Sequence, residues 1–250
     1  MLDSHFTILI PSYNVEKWVK RNVTSALNQK YDNYDIVYID DCSTDKTFEV
    51  AKQLLQEAQS EFDGTIVVEK NSFNKGKMCN VYEAVYDARD NTIVVILDGD
   101  DWLANENVLS YLNKVYESGD IWMTNGSYAV DPTGEVIKPN ISDQYWEGTI
   151  RQKSWEFSHL GTFRKELFCK IKRKDFMNQQ GQFWTTTSDQ AIMWPMAEMA
   201  GPQNFRALNE VLYVYNRMNP ISDDRAHRQD QLLTERTIRN KKPYAKLQQL

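Results

Sequence analysis

The chain has 250 residues, 41% hydrophobic and 26% charged, a balance ordinary for a globular protein of one large domain or two small ones. A formal net charge of -6 and a pI near 5.2 exclude a nucleic-acid binder built on a broad basic surface, while leaving room for a local basic pocket that takes a diphosphate. Cys42, Cys79 and Cys169 have no metal-like spacing and cannot all pair, which points to reduced thiols in a cytoplasmic setting.

The first residues lack a basic leader, and their apolar run is too short for a signal peptide. No later run approaches spanning length, so no transmembrane segment is expected, and association with a membrane is at most peripheral. Residues 6–10 read as the first strand, stopped by Pro11; Ser12 and Tyr13 form a loop and Asn14 caps the helix that follows. Apolar residues at Trp18, Val19, Val23, Ala26 and Leu27 have helical spacing across residues 15–29. Residues 34–39 form a second strand ending in Asp40-Asp41-Cys42-Ser43-Thr44-Asp45, where Ser43 or Thr44 caps a helix with Phe48, Ala51, Leu54, Leu55 and Ala58 as its buried stripe. A third strand covers residues 65–69, and a polar loop containing Gly76 leads into a helix over 78–89.

Next comes Ile93-Val94-Val95-Ile96-Leu97, apolar on both faces and therefore a buried strand, ending in Asp98-Gly99-Asp100-Asp101. The alternation of strand and helix predicts an α/β chain with a parallel, doubly wound sheet and right-handed crossovers. Both acidic exits then fall on its carboxyl edge, where open sheets place their ligands. The carboxylates after residue 97 repel one another unless a counter-charge is present. A hard divalent cation such as magnesium, bound through carboxylates and substrate phosphates, supplies it.

Beyond Leu103 the pattern predicts a helix over 107–116, short strands over 121–124 and 127–130, and a turn at Asp131-Pro132-Thr133-Gly134. A mixed aromatic stretch follows, then a basic run from Lys170 to Lys174 on a solvated helix face. Ser188 caps a helix reaching about Met199, which Pro195 kinks or breaks. A late strand covers 212–215, and the tail from Asp224 is basic and helical. No linker stands out, so one domain of two halves is expected, about 1–103 and about 104–225, with a tail from about 226 to 250.

Pro11-Ser12-Tyr13-Asn14, Asp40-Asp41-Cys42-Ser43-Thr44-Asp45, Leu97-Asp98-Gly99-Asp100-Asp101 and Ser188-Asp189, in that order and spacing, resemble the family 2 glycosyltransferases of the GT-A fold. The resemblance implies a Rossmann-like, mostly parallel central sheet flanked by helices. It also implies transfer of a sugar, with inversion, from a nucleotide sugar to a hydroxyl of a glycan, lipid-linked saccharide or protein. A UDP-sugar is favoured, because Asp41 matches the residue that bonds a uracil-type base, with Asp40 beside it. Pro11, Ser12 and Tyr13 match the loop lying against the nucleotide. Asp98 matches the aspartate facing the ribose or the metal, and Asp100 matches the ligand of Mn2+ or Mg2+. Asp101 stands next to them, toward the sugar or acceptor. Asp189 matches the general base, although Ser188 stands where most relatives have Glu. The loop arginine of the family is missing from Gly76-Lys77-Met78-Cys79-Asn80, leaving its work to Lys77 or Asn80. His227 is either a third metal ligand or a solvated side chain. His159 is a weaker candidate for the sugar or acceptor site. Trp155 and Trp184 floor that site or fill the core.

Two other classes compete. A non-catalytic nucleotide-sugar-binding module would not need Asp189. A metal-dependent phosphatase with an aspartyl nucleophile would want Thr or Val soon after the second aspartate, where Asp101-Trp102 stands.

Overall fold

The computed structural model describes residues 3–220 and 228–250. Strands β1 (His5–Ser12), β2 (Tyr34–Asp40), β3 (Ile66–Lys70) and β4 (Thr92–Ile96) alternate with helices α1 (Glu16–Leu27), α2 (Thr47–Ala58) and α3 (Lys77–Asp87). The pairs β3–β2, β2–β1 and β1–β4 are all parallel, as the alternation predicts. There follow β5 (Trp102–Leu103), α4 (Val108–Glu117), β6 (Met123–Asp131), β7 (Val136–Ile137), β8 (Gly161–Arg164), α5 (Lys165–Cys169), α6 (Ser188–Ala200), β9 (Phe205–Asn216) and α7 (Arg228–Arg239). These strands extend the same sheet to nine, in the order β3-β2-β1-β4-β8-β6-β9-β5 with β7 beside β6. Strand β8 runs antiparallel to both β4 and β6, so the regular winding ends at the β4–β8 seam.

Side chains of β1 and β4 alternate between two cores, as a two-residue period demands. Phe6, Ile8, Ile10, Ile93 and Val95 pack with residues of α1, α2 and α4. Leu9 and Val94 point the other way, into a core with α3, β8 and α6. Burial on both faces explains the unbroken apolar run before Asp98.

Several local expectations give way to tertiary contacts. Strand β1 continues through Pro11, because the ladder with β4 ends at Leu9 opposite Ile96 and beyond it the β4 side needs only the Pro11 carbonyl, which accepts the Gly99 amide. Asn14 does not cap α1. It takes a positive φ of 52°, accepts from the Thr44 amide at 2.9 Å, and donates its own amide to Ser43 Oγ at 2.9 Å. The α1 terminus is capped from across the chain, by Thr47 Oγ1 on the Val15 amide at 2.8 Å and Asp45 Oδ2 on the Glu16 amide at 3.2 Å. Asp45 also accepts the Thr47 amide at 3.0 Å, a role expected of Ser43 or Thr44.

The two short strands over 121–130 are one strand, β6, with register shifts around Gly126. A Cβ on Gly126 would lie 3.1 Å from the Leu160 amide nitrogen, so glycine relieves a tight approach at the bulge. Strand β9 spans 12 residues rather than the expected four, since β6 partners it along most of its length. The basic run after Cys169 is exposed from Lys172 to Lys174; α5 has ended there, and Arg173 and Lys174 lie instead on a short 3-10 helix, Arg173–Phe176, with Ile171 and Phe176 turned inward. Helix α6 continues past Pro195 to Ala200.

The second half is pinned by a buried ion pair. Arg151, 1% exposed, donates from Nε to Glu198 Oε1 at 2.7 Å and from Nη2 to Oε2 at 2.8 Å. Its Nη1 donates to the Ile238 carbonyl at 2.9 Å, and Glu198 also accepts the Tyr244 amide at 2.9 Å. Through these bonds α6 holds α7 and the residues after it. Among the described residues no helix is long and apolar enough to cross a membrane, and all three cysteines are free.

Candidate active site

The carboxyl ends of β1, β2 and β4 are stitched into one edge. The Asp41 amide donates to the Ser12 carbonyl at 2.8 Å, and the Gly99 amide to the Pro11 carbonyl at 3.2 Å. A Cβ on Gly99 would sit 2.1 Å from Ser12 Oγ, so the residue between Asp98 and Asp100 must be glycine for the two exits to approach.

On the β2 side, Asp40 is fully buried; it accepts the Ser43 amide at 2.9 Å, and Lys70 Nζ lies 3.8 Å away. It braces the loop from beneath. Asp41, 3% exposed, gathers the loop after β3: Oδ1 accepts the Lys75 amide and Asn71 Nδ2, both at 2.8 Å, and Oδ2 accepts the Gly76 amide at 2.8 Å. Asn71 Nδ2 also donates to Asn80 Oδ1 at 2.7 Å, which places buried Asn80 in the same network. Ser12 is buried beside them, and the Tyr13 ring stands exposed at the rim.

On the β4 side the three aspartates diverge. Asp101, 1% exposed, accepts from Tyr213 OH at 2.5 Å and from the Asn216 amide at 2.7 Å. Burial and the nearby charges of Asp100 and Asp98 push its carboxyl well above the usual range. Asp101 therefore anchors the end of β9 behind the site and presents no face to a sugar or acceptor, contrary to expectation. Asp100 accepts from Asn219 Nδ2 at 2.8 Å; burial, then the charge of Asp98, raises its carboxyl.

Asp98 faces the first residue of α3. Lys77 Nζ lies 2.7 and 2.9 Å from its two oxygens and 3.4 Å from Asp189 Oδ1. Of the two loop candidates, Lys77 is the one the structure brings between the acidic exit and Asp189. Asp189 sits in the first turn of α6, after Thr187 in the left-handed conformation, and half its side-chain surface is open to the cleft. Crowding by protein raises its carboxyl, but the charges of Lys77 and His159 outweigh that and hold it below the ordinary value.

His159 stacks on Tyr213 at 4.9 Å and on Tyr215 at 5.6 Å, which sets its ring on the wall of the recess containing Asp98 and Asp189. Trp155 lines the same recess and meets Trp194 edge-on at 5.1 Å. Trp184 does not: it is 8% exposed, and its indole N–H donates to the Asp175 carbonyl at 3.1 Å, a core position. His227 lies outside the described residues.

Four residues of the site carry no obvious sequence signal. Asn22 Nδ2 donates to the carbonyls of Asp98 and Asp101, both at 2.8 Å, and so shapes the acidic turn. Its one hint is a buried amide inside the apolar stripe of α1. Tyr213, Asn216 and Asn219 reach the turn from β9 and just beyond it, more than a hundred residues away.

The residues fit a hard divalent cation through their donor set. Asp98 and Asp100 offer carboxylate oxygens at an edge whose other acidic partner, Asp101, is buried. Among the described residues no group of three His, Cys, Asp or Glu could hold a metal alone. Two carboxylates that need substrate phosphates to complete the shell are the usual arrangement for magnesium-like ions.

Comparisons with known proteins bear on the fold and the family. Solved structures that share the fold include Staphylococcus aureus TarS 1-349 in complex with UDP-GlcNAc, at 16% identity and TM-score 0.68, covering 94% of this chain and 65% of that one. A second is the mannosyltransferase PcManGT from Pyrobaculum calidifontis in complex with GDP-Man and Mn2+, at 20% identity and TM-score 0.62, covering 97% and 66%. The fold is therefore the GT-A fold, a mostly parallel sheet between layers of helices. An uncharacterized glycosyltransferase of Haemophilus influenzae is 31% identical over 133 residues, 53% of this chain and 50% of that protein. The chain thus spans about half the length of that relative. The profile of glycosyl transferase family 2 matches residues 7–179, more than half of the sequence, and the chain belongs to that family.

Proposed function

We propose that this chain transfers a sugar from a nucleotide-sugar donor, UDP-linked by preference, to a hydroxyl of a glycan, lipid-linked saccharide or protein, with inversion at the anomeric carbon. The observation that carries the reading is Lys77. Its ammonium lies 2.7 Å from Asp98 and 3.4 Å from Asp189, so the acidic strand exit and a second carboxylate share one recess. A sugar held at that recess, with Lys77 turned to the diphosphate, would meet its acceptor in line.

Mn2+ or Mg2+ held by Asp98 and Asp100 would neutralise the charge that grows on the departing diphosphate. Lys77 adds a fixed positive charge at the same place, in the position where the family's arginine is missing. Asp41 orders the 71–76 loop with its carboxylate, so the base of the nucleotide lands on a preset surface between that loop and Tyr13. Asp189 is ionised at neutral pH and takes the acceptor's proton as the new bond forms. The nucleotide sugars bound in TarS and PcManGT support the donor class, and the Mn2+ of PcManGT supports the metal. Free thiols favour a cytoplasmic setting.

Chelation tests the metal. Release of nucleoside diphosphate should fall on the order of a hundredfold or more in EDTA, return with Mn2+, and fall comparably in Asp100→Asn with metal present. Undiminished turnover in chelator would contradict the assignment.

Titration tests Lys77. The folded-state value of Asp189 is depressed, so the base stays ionised until pH drops below the ordinary carboxylate range, and the acid limb of kcat/KM lies there. Lys77→Met removes a charge that lowers it, and the acid limb should move to higher pH. A limb that stays in place would show that Lys77 does not set the charge of Asp189.

A further inference from the structure

Helix α7 has two faces. Thr234 and Ile238 are buried, and Ile238 joins the core shared with α6. On the other side Gln229, Leu232, Leu233 and Arg236 face outward at helical spacing. Leu232 is 58% exposed and Leu233 67%, and among the described residues no other leucine is open to that degree. The helix that carries them is held at its far end, where the Ile238 carbonyl accepts from Arg151 and Arg239 Nη1 donates to the Lys153 carbonyl at 2.7 Å.

The charge around this face is basic, in a chain whose net charge is -6. Residues 229–250 hold five Lys and Arg against two acids. Arg239 is paired with Glu235 at 2.6 Å, and Lys241 is turned onto the carbonyls of Lys174 and Asp175 at 3.0 and 2.9 Å. Those bonds bring the exposed run Lys172, Arg173 and Lys174 beside exposed Lys242, just past the end of α7. Asp230 is the acidic residue on the outer face. At the other end of the helix Thr187 Oγ1 lies 3.5 Å from the Gln231 carbonyl, two residues before Asp189. The leucines therefore stand next to the rim that carries Asp189.

Two leucines are too few for a stable contact between proteins, which buries about 800 Å² on each side. A two-fold contact with a second copy would also set Arg236 and Lys242 against themselves. A bilayer surface asks for less, since apolar side chains enter the headgroup region while Lys and Arg meet anionic headgroups. We propose that the outer face of α7, with the run from Lys172 to Lys174, seats this chain on an anionic lipid bilayer surface beside the Asp189 rim. The docking rests on charge and exposure outside the cleft, so it goes beyond the transfer reading and can fail without it.

Co-sedimentation of the full chain with vesicles tests it, using phosphatidylcholine alone and an equimolar mixture with phosphatidylglycerol. Binding to the anionic vesicles should exceed binding to the neutral ones by about tenfold or more and weaken as salt is raised. Leu232→Ser with Leu233→Ser should weaken it about tenfold, with the melting temperature close to the parent protein's because both side chains are exposed. Lys174→Gln should weaken it about fivefold, while Lys52→Gln, the same loss of charge on α2, should leave it unchanged. No binding to anionic vesicles overturns the proposal, as does binding that the leucine pair and Lys174 variants leave intact. A parent chain that dimerises, with the leucine variant monomeric, assigns the face to a second copy and also overturns it. Thermal shift with UDP-sugars and Mn2+ should be the same in these variants as in the parent; its absence in every form counts against the cleft and leaves the bilayer surface standing.

Discussion

Asp189→Asn should keep its affinity for the donor and lose about 10²–10⁴-fold in turnover, the range for removal of a positioned general base. The substitution preserves size and the capping position in the first turn of α6, so the fold should not change. Only the ability to take a proton is lost. Binding affinity measured beside single-turnover rate separates the two effects. Turnover equal to that of the parent protein would remove Asp189 from the chemistry. It would also remove the reason to read the recess as a transfer site rather than a place where a nucleotide sugar is merely held.

The largest expected effect on stability lies away from the cleft. Arg151→Ala leaves Glu198 buried without its bidentate partner and strips the Ile238 carbonyl of a donor. Breaking such a pair from one side costs about 3–5 kcal/mol. For a protein of this size that lowers the melting temperature by roughly 10 °C. The double variant Arg151→Met, Glu198→Met should recover most of the loss, because it removes both charges together and returns apolar volume. A double variant as unstable as the single would mean that the bonds to Ile238 and Tyr244, rather than the unpaired charge, dominate. Since α6 carries Asp189 at one end and Glu198 near the other, a melted α7 contact is expected to lower activity as well as stability.

The first half of the chain was legible because its signals are local. A continuous apolar run means a strand covered on both faces, and the acidic exits after residues 39 and 97 mark its carboxyl edge, while the close approach of Gly99 to Ser12 emerges only in the structure. Lys77 could be named as a candidate because it stands in the stretch from which the family's loop arginine is missing. That its ammonium would meet both Asp98 and Asp189 depends on where α6 packs, which no spacing in the sequence reports. The caps failed for the same reason. Asn14 and Ser43 are good capping residues by type, but they satisfy each other's segments some thirty residues apart, and Asp45 caps its own helix and the Glu16 amide of the distant one at once. Asp101 shows the limit most clearly. In the sequence it is one more carboxylate in an acidic run, and only the folding-back of β9, bringing Tyr213 and Asn216, makes it a buried anchor. Trp184 and Trp155 are alike as letters, and the packing of α6 sends one into the core and leaves the other on the recess.

The function depends on whether the carboxyl edge between Asp41 and Asp100 receives a nucleotide sugar. Thermal shift of the full chain against UDP-, GDP- and dTDP-sugars, each with and without Mn2+, asks this directly. A rise in melting temperature with a UDP-sugar that needs the metal and disappears in Asp100→Asn is the result expected. No shift with any nucleotide sugar, metal present, would contradict it.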